Sequence, residues 1–156
     1  MDYEGFMKIL NNLNYSKTKD YKKSLFSKPK ENKEVKPIID YIMPLFNEAI
    51  KAAENNPNNY GVLSEKVSSP KEADKILNKS VYNNFLRWIQ AGRPNKFVDF
   101  MRDRWAPLGA ENDPNNLNYN WSNNVRKLLN LSPQEREMWK KLNLVKYDFN
   151  NTTKRI

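Results

Sequence analysis

Hydrophobic residues recur three and four positions apart along most of this chain, in blocks separated by polar stretches that carry Pro. That period places apolar side chains on one face of an α-helix. Phe6, Ile9, Leu10 and Leu13 mark a short helix over residues 2–13. Tyr15 to Lys36 is polar, Lys-rich and poorly periodic, and reads as a linker or an extended arm. Its Tyr21, Leu25 and Phe26 are placed to dock on the domain or on a partner. From Pro37, which suits a first helical position, Ile38, Ile39, Ile42, Phe46, Ile50 and Ala53 form the first long stripe, ending at Glu54. Pro44 removes a backbone donor and should kink this helix or restart it.

Start signals divide the rest. Ser69, Pro70 and Glu72 form a capping box ahead of Ala73, Ile76, Leu77, Val81, Phe85 and Trp88, and Gly92 stops that helix after Gln90. Arg93-Pro94 opens a shorter helix with Phe97, Val98, Met101 and Trp105 inward, broken at Ala106-Pro107-Leu108-Gly109. Asp113-Pro114 is cap and first turn for a helix with Leu117, Trp121, Val125 and Leu128 buried. Ser132 to Glu135 repeats the capping signal ahead of Met138, Trp139 and Leu142. Strand signals are confined to Tyr60–Leu63 and Leu144–Tyr147. The expectation is a mostly-α fold: a compact domain of five or six helices over residues 37–142, preceded by a helix and basic arm (1–36) and followed by a polar tail (143–156).

Composition narrows the chemistry. In 156 residues there is no Cys and no His. Thiol nucleophiles, disulfides, Ser-His-Asp triads and nearly all zinc sites are thereby excluded. With only 4 Gly, a phosphate-cradling loop is excluded as well. Catalysis would have to use carboxylates, Tyr, Lys, Ser/Thr or a hard metal held by carboxylates; no cofactor is implied and no particular metal site is argued for. No apolar run reaches the ~18–20 residues of a membrane span. The start Met1-Asp2-Tyr3-Glu4 lacks the features of a signal peptide, so synthesis in a cytoplasm is expected.

The net charge of +9 is unevenly placed. Residues 1–36 hold nine Lys against five acids, residues 37–125 ten basic against ten acidic side chains, and residues 126–156 eight against three. Basic ends on a neutral middle fit loose attachment to an anionic surface, or biased composition alone. The neutral middle argues against a nucleic-acid reader, whose basic residues cluster on the folded motif.

Two stretches can carry chemistry. In Ala49–Ser64 a single acid, Glu54, closes the first long helix ahead of an Asn/Pro turn and Tyr60-Gly61-Val62-Leu63-Ser64. A carboxylic acid at the mouth of a loop and backed by an apolar helix suits general acid catalysis; the plain alternative is a solvated helix residue. Phe97–Trp121 combines Trp and Tyr rings with many Asn amides. Sugar rings lie on aromatic faces, and their hydroxyl and N-acetyl groups pair with amides. Arg104, Asn112, Asn116 and Asn120 are its candidate substrate-binding side chains. The spacing of Trp88, Trp105 and Trp121 fits core packing better than sugar platforms, and Asn also serves turns and caps.

The segments AIKAAEN, YGVLS, NNFLRWIQAGRP and FVDFMRDRWAPLGAENDPNNLNYNWSNNV, over about residues 46–130, resemble small lysozyme-like proteins borne by phages and mobile elements. That group is similar to the superfamily of lysozymes and lytic transglycosylases. The resemblance implies a lysozyme-like helical fold and cleavage of peptidoglycan glycan strands, with Glu54 as the general acid on the glycosidic oxygen. It further implies that Tyr60, Gly61 and Ser64 form the loop beside that acid. Asn55 stands where such proteins tend to carry Gly. A hydrolase needs a second carboxylate, for which Asp99, Asp103, Glu111 and Asp113 are the candidates; a lytic transglycosylase needs one acid. The expected location is a phage virion, or the host cytoplasm before release, with action on the bacterial cell wall. The alternative is an inactive virion protein that keeps the fold and contacts other virion proteins through residues 1–36.

Overall fold

The computed structural model describes residues 2–13, 16–54, 69–111, 113, 115 and 117–141. Among them are seven α-helices and one 3-10 turn: α1 (Tyr3–Asn12), α2 (Tyr21–Leu25), α3 (Lys36–Glu54), α4 (Pro70–Gln90), α5 (Phe97–Trp105), the 3-10 turn Leu117–Asn120, α6 (Trp121–Leu128) and α7 (Pro133–Lys141). No strand occurs among the described residues, and both expected strand segments lie outside them. None of the described helices is long and apolar enough to cross a membrane.

The long helices stand where periodicity and caps put them. The Ser69 hydroxyl accepts the Glu72 N–H at 3.2 Å, with Pro70 directly inside the helix. At α7 the box is reciprocal: Ser132 Oγ accepts the Glu135 N–H at 3.1 Å, and Glu135 Oε1 accepts the Ser132 N–H at 3.0 Å. Pro44 lies inside a helix that runs through it unbroken. Both Pro44 and Asp40, whose carbonyl loses its donor there, are exposed, so water can take the vacated acceptor.

Phe97 is the hub of the core. Its ring meets Phe46 at 5.1 Å, Phe85 at 5.1 Å and Trp88 at 5.5 Å, joining α3, α4 and α5. Each fully buried ring of this kind contributes about 2–3 kcal/mol of hydrophobic stabilisation. Trp139 of α7 stacks on Phe46, with ring centroids 5.1 Å apart. Between α3 and α4 runs a polar seam: Asn47 pairs with Asn78, and Lys51 with Asp74. These two rungs set the helices antiparallel, because stepping up one helix means stepping down the other.

Three expectations change. The Asp113 signal does not start a helix within its own turn; its carboxylate accepts the Asn118 N–H at 2.8 Å, and regular α-helix begins only at Trp121. Leu128 is 45% exposed, and Leu129 takes the buried position. The Lys-rich stretch contains α2, and with α1 it sends Phe6, Leu25 and Val35 into the common core. Of the two destinations open to Tyr21, Leu25 and Phe26, the first two residues take the domain, whereas Phe26 stays 63% exposed.

Residues 16–35 are tied down as a strap across α4 and α5. The Thr18 N–H donates to the Ala91 carbonyl at 2.9 Å, and Arg87 Nε to the Ser27 carbonyl at 2.7 Å. Gln90 donates to Ser27 Oγ and the Lys28 carbonyl and accepts the Lys30 N–H. Tyr21 donates its hydroxyl proton to Asp103 at 2.5 Å and accepts from Asn95 at 2.8 Å. At Gly92, where φ is +81°, a Cβ would sit 2.5 Å from the Ser16 carbonyl oxygen, so glycine alone lets the strap approach.

Candidate functional site

Glu54 is the last residue of α3 and is half-buried. Its Oε1 accepts two indole N–H groups, from Trp105 at 3.1 Å and from Trp121 at 3.0 Å. Trp105 is the last residue of α5 and Trp121 the first of α6. One carboxylate oxygen therefore gathers the ends of three helices. It also closes residues 106–120 into a loop whose two ends are both anchored at Glu54.

The local chemistry of the acid differs from the apolar backing read in the sequence. An indole N–H only donates, and when buried it needs an acceptor. Trp121 is 6% exposed and Trp105 half-buried, so both donors meet that need at the carboxylate. Spacing alone treats these rings as core or as sugar platforms. The structure makes them packed residues whose polar edges orient the acid. Trp88 is purely a core ring by contrast, its N–H donating to the Asn95 carbonyl at 2.8 Å.

The loop between the two tryptophans is braced internally. Asp113 is 8% exposed and accepts the Asn118 N–H, while the Asn118 amide donates to the Pro107 carbonyl at 2.9 Å. Tyr119 and Leu108 project from the loop, 61% and 40% exposed. Asn120 is exposed at the start of α6 and makes no capping bond through its side chain. Asn112 and Asn116 lie outside the described residues, as do Tyr60, Gly61, Ser64 and Asn55.

The candidate second carboxylates separate by position. At 3.6 residues per turn, Asp99 and Asp103 lie about 120° and about 160° around α5 from Trp105, and so face away from Glu54. Both are engaged there: Arg102 lies 3.5 Å from Asp99 and 2.7 Å from Asp103, and Tyr21 donates to Asp103. Burial and the Asp103 carboxylate together push the Tyr21 hydroxyl well above the usual tyrosine range. Asp113 and the exposed Glu111 belong instead to the loop anchored at Glu54. Arg104 is exposed and sits over the Phe26 ring of the strap, 5.1 Å from its centroid.

Sequence order could have hinted at the indole clamp only through the positions of Trp105 and Trp121 at a helix end and a helix start. That both N–H groups converge on the acid closing a third helix is a tertiary fact. Comparison with protein-family models, with curated proteins and with solved structures gives no match.

Proposed function

We propose that this chain is a peptidoglycan-cleaving, lysozyme-like protein of phage origin in which Glu54 is the general acid. The observation that carries the reading is the carboxylate itself: it closes α3, is half-buried, and is oriented through one oxygen by Trp105 and Trp121. In the neutral acid, Oε1 would be the carbonyl oxygen, with a lone pair for each indole, and the proton would sit on Oε2. The clamp thus selects the oxygen that donates and holds its direction, the kind of preorganisation a general acid needs. The exposed Tyr119 ring and the exposed Asn120 amide provide surfaces on which a sugar chain can rest.

Asp103 is engaged by Tyr21 of the strap and by Arg102, and Asp99 by Arg102, which supports a mechanism that uses one acid. In that branch Glu54 protonates the glycosidic oxygen, the glycosidic bond breaks, and a hydroxyl of the same sugar closes the product as an anhydro ring. In the hydrolytic branch water closes it instead, with Glu111 or Asp113 as the assisting carboxylate. The test is lysis of purified peptidoglycan by the wild type and by Glu54→Gln, with product masses. Loss of lysis in the variant supports the assignment, and anhydro products identify a transglycosylase. An inactive wild type on several wall types overturns it.

The second reading is a virion protein that retains a lysozyme-like fold without activity. It is favoured by the same clamp, since satisfying the indoles of the buried Trp121 and the half-buried Trp105 is a sufficient structural use for Glu54. Asn55 in place of Gly supports it too.

A further inference from the structure

The strap sets an unusual set of charges on a fixed surface. All seven lysines between Lys17 and Lys33 are exposed. The acids among them are Asp20, whose side chain caps α2 by accepting the Lys23 N–H, and Glu31, which accepts from Tyr82. Among the described residues none of these seven lysines is ion-paired, whereas Lys36 and Lys51 are paired with Asp40 and Asp74. Tyr21, Ser24, Leu25 and Val35 supply the inward side of the strap, so the lysines are left to face outward. Arg104 and Arg87 extend the same region: Arg104 lies over Phe26, and Arg87 holds the Ser27 carbonyl. The Arg87 guanidinium has its proton affinity lowered, first by burial and then by the positive charge of Arg104.

We infer that the outer face of residues 17–33 is a docking band for a linear, base-free phosphodiester polymer of the poly(glycerol phosphate) kind, bound by charge alone. Several features select this partner. Residues 17–33 hold Lys and no Arg, so apart from Arg104 at its edge the band offers compact point charges rather than the planar forks that read bases or single phosphates in two-point contacts. Its stacking surface is small: Tyr21 is turned in against Phe100 and Asp103, and Phe26, although 63% exposed, is covered on one side by Arg104. Proteins that bind single-stranded nucleic acid add aromatic stacking to their positive groove. The hydrogen bonds to Ala91, Arg87 and Gln90 keep the lysines in place, so binding does not have to order the segment that carries them.

The test uses the full chain and two variants of equal net charge. One carries Lys19, Lys22, Lys28 and Lys30→Gln in the strap; the other carries Lys71, Lys75, Lys79 and Lys127→Gln, all exposed and outside it. Binding to fluorescent poly(glycerol phosphate) and to oligothymidylate of matched charge is titrated between low and physiological salt. The wild type should bind the base-free polymer at least as tightly as oligothymidylate. The strap variant should flatten the dependence of log affinity on log salt by up to about 3, since each contact contributes about 0.7 for single-stranded polyanions. The control variant should leave most of it. Equal losses in the two variants would show that net charge alone governs binding, and would overturn the assignment. Tighter binding to oligothymidylate would overturn it in favour of nucleic acid. Tryptophan emission of each variant checks that the fold is kept.

Discussion

The indole N–H groups of Trp105 and Trp121 end on the same atom, Oε1 of Glu54, at 3.1 and 3.0 Å. A single acceptor so placed has a structural use that is separable from any chemistry, and substitutions at it can tell the two apart.

Glu54→Gln keeps a carbonyl oxygen for both indoles and should leave stability to urea within about 1 kcal/mol of the wild type. Glu54→Leu leaves both donors without the acceptor. It should cost about 2–4 kcal/mol, with tryptophan emission shifted to the red. If both variants are equally stable in denaturant titrations, the clamp does not contribute to the fold.

The two tryptophans should contribute unequally. Phe in place of either removes one donor and some ring area, and Trp121 is the more buried. Trp121→Phe should cost about 2 kcal/mol and Trp105→Phe about 1. Because they share an acceptor, the double variant should depart from additivity by at least about 0.5 kcal/mol, which a double-mutant cycle measures.

Gly92→Ala meets two penalties at once: a φ of +81° and a Cβ placed 2.5 Å from the Ser16 carbonyl oxygen. The strap should lift locally. Limited proteolysis should then cut between Ser16 and Lys23 at least tenfold faster than in wild type, since opening by about 1.4 kcal/mol gives that factor. Unchanged cleavage would mean that the strap does not rest on Gly92.

The attachment of α7 should depend on pH at both ends of the scale. Burial, then the hydrogen bond to Glu135, pushes the Tyr41 hydroxyl up to about 12. The hydrogen bond from Tyr41, then that from the Ser132 backbone, holds Glu135 below its usual 4.5. A raised tyrosine favours the folded state below pH 10.0, where it is neutral in both states, and this contribution is lost as pH rises toward 12. A lowered carboxylate contributes above 4.5 and is lost as pH falls through its folded value. Tyr41→Phe should flatten the stability profile in both windows, as read by urea midpoints across pH. A profile unchanged from wild type would remove Tyr41 as the cause.

Local physics made much of the framework legible in advance. The apolar stripe from Ile38 to Ala53, the Ser69 and Ser132 caps and the stop at Gly92 depend on neighbours within a turn or two, so periodicity and capping chemistry suffice to place them. The absence of Cys and His likewise leaves carboxylates as the principal acids of the chain, and Glu54 is the acid at the end of the first long helix. Tertiary structure decided what those local rules do not reach. Residues 16–35 lack helical periodicity because their order comes from donors and acceptors on Arg87, Gln90, Ala91 and Asp103, far away in the chain. The turn that Asp113 braces runs on to Trp121 because its carboxylate is spent on the Asn118 backbone. The environment of Glu54 was hidden for the same reason: an indole is apolar in any hydropathy pattern, and only the packing of α5 and α6 against the end of α3 turns two of them into hydrogen-bond donors on one oxygen.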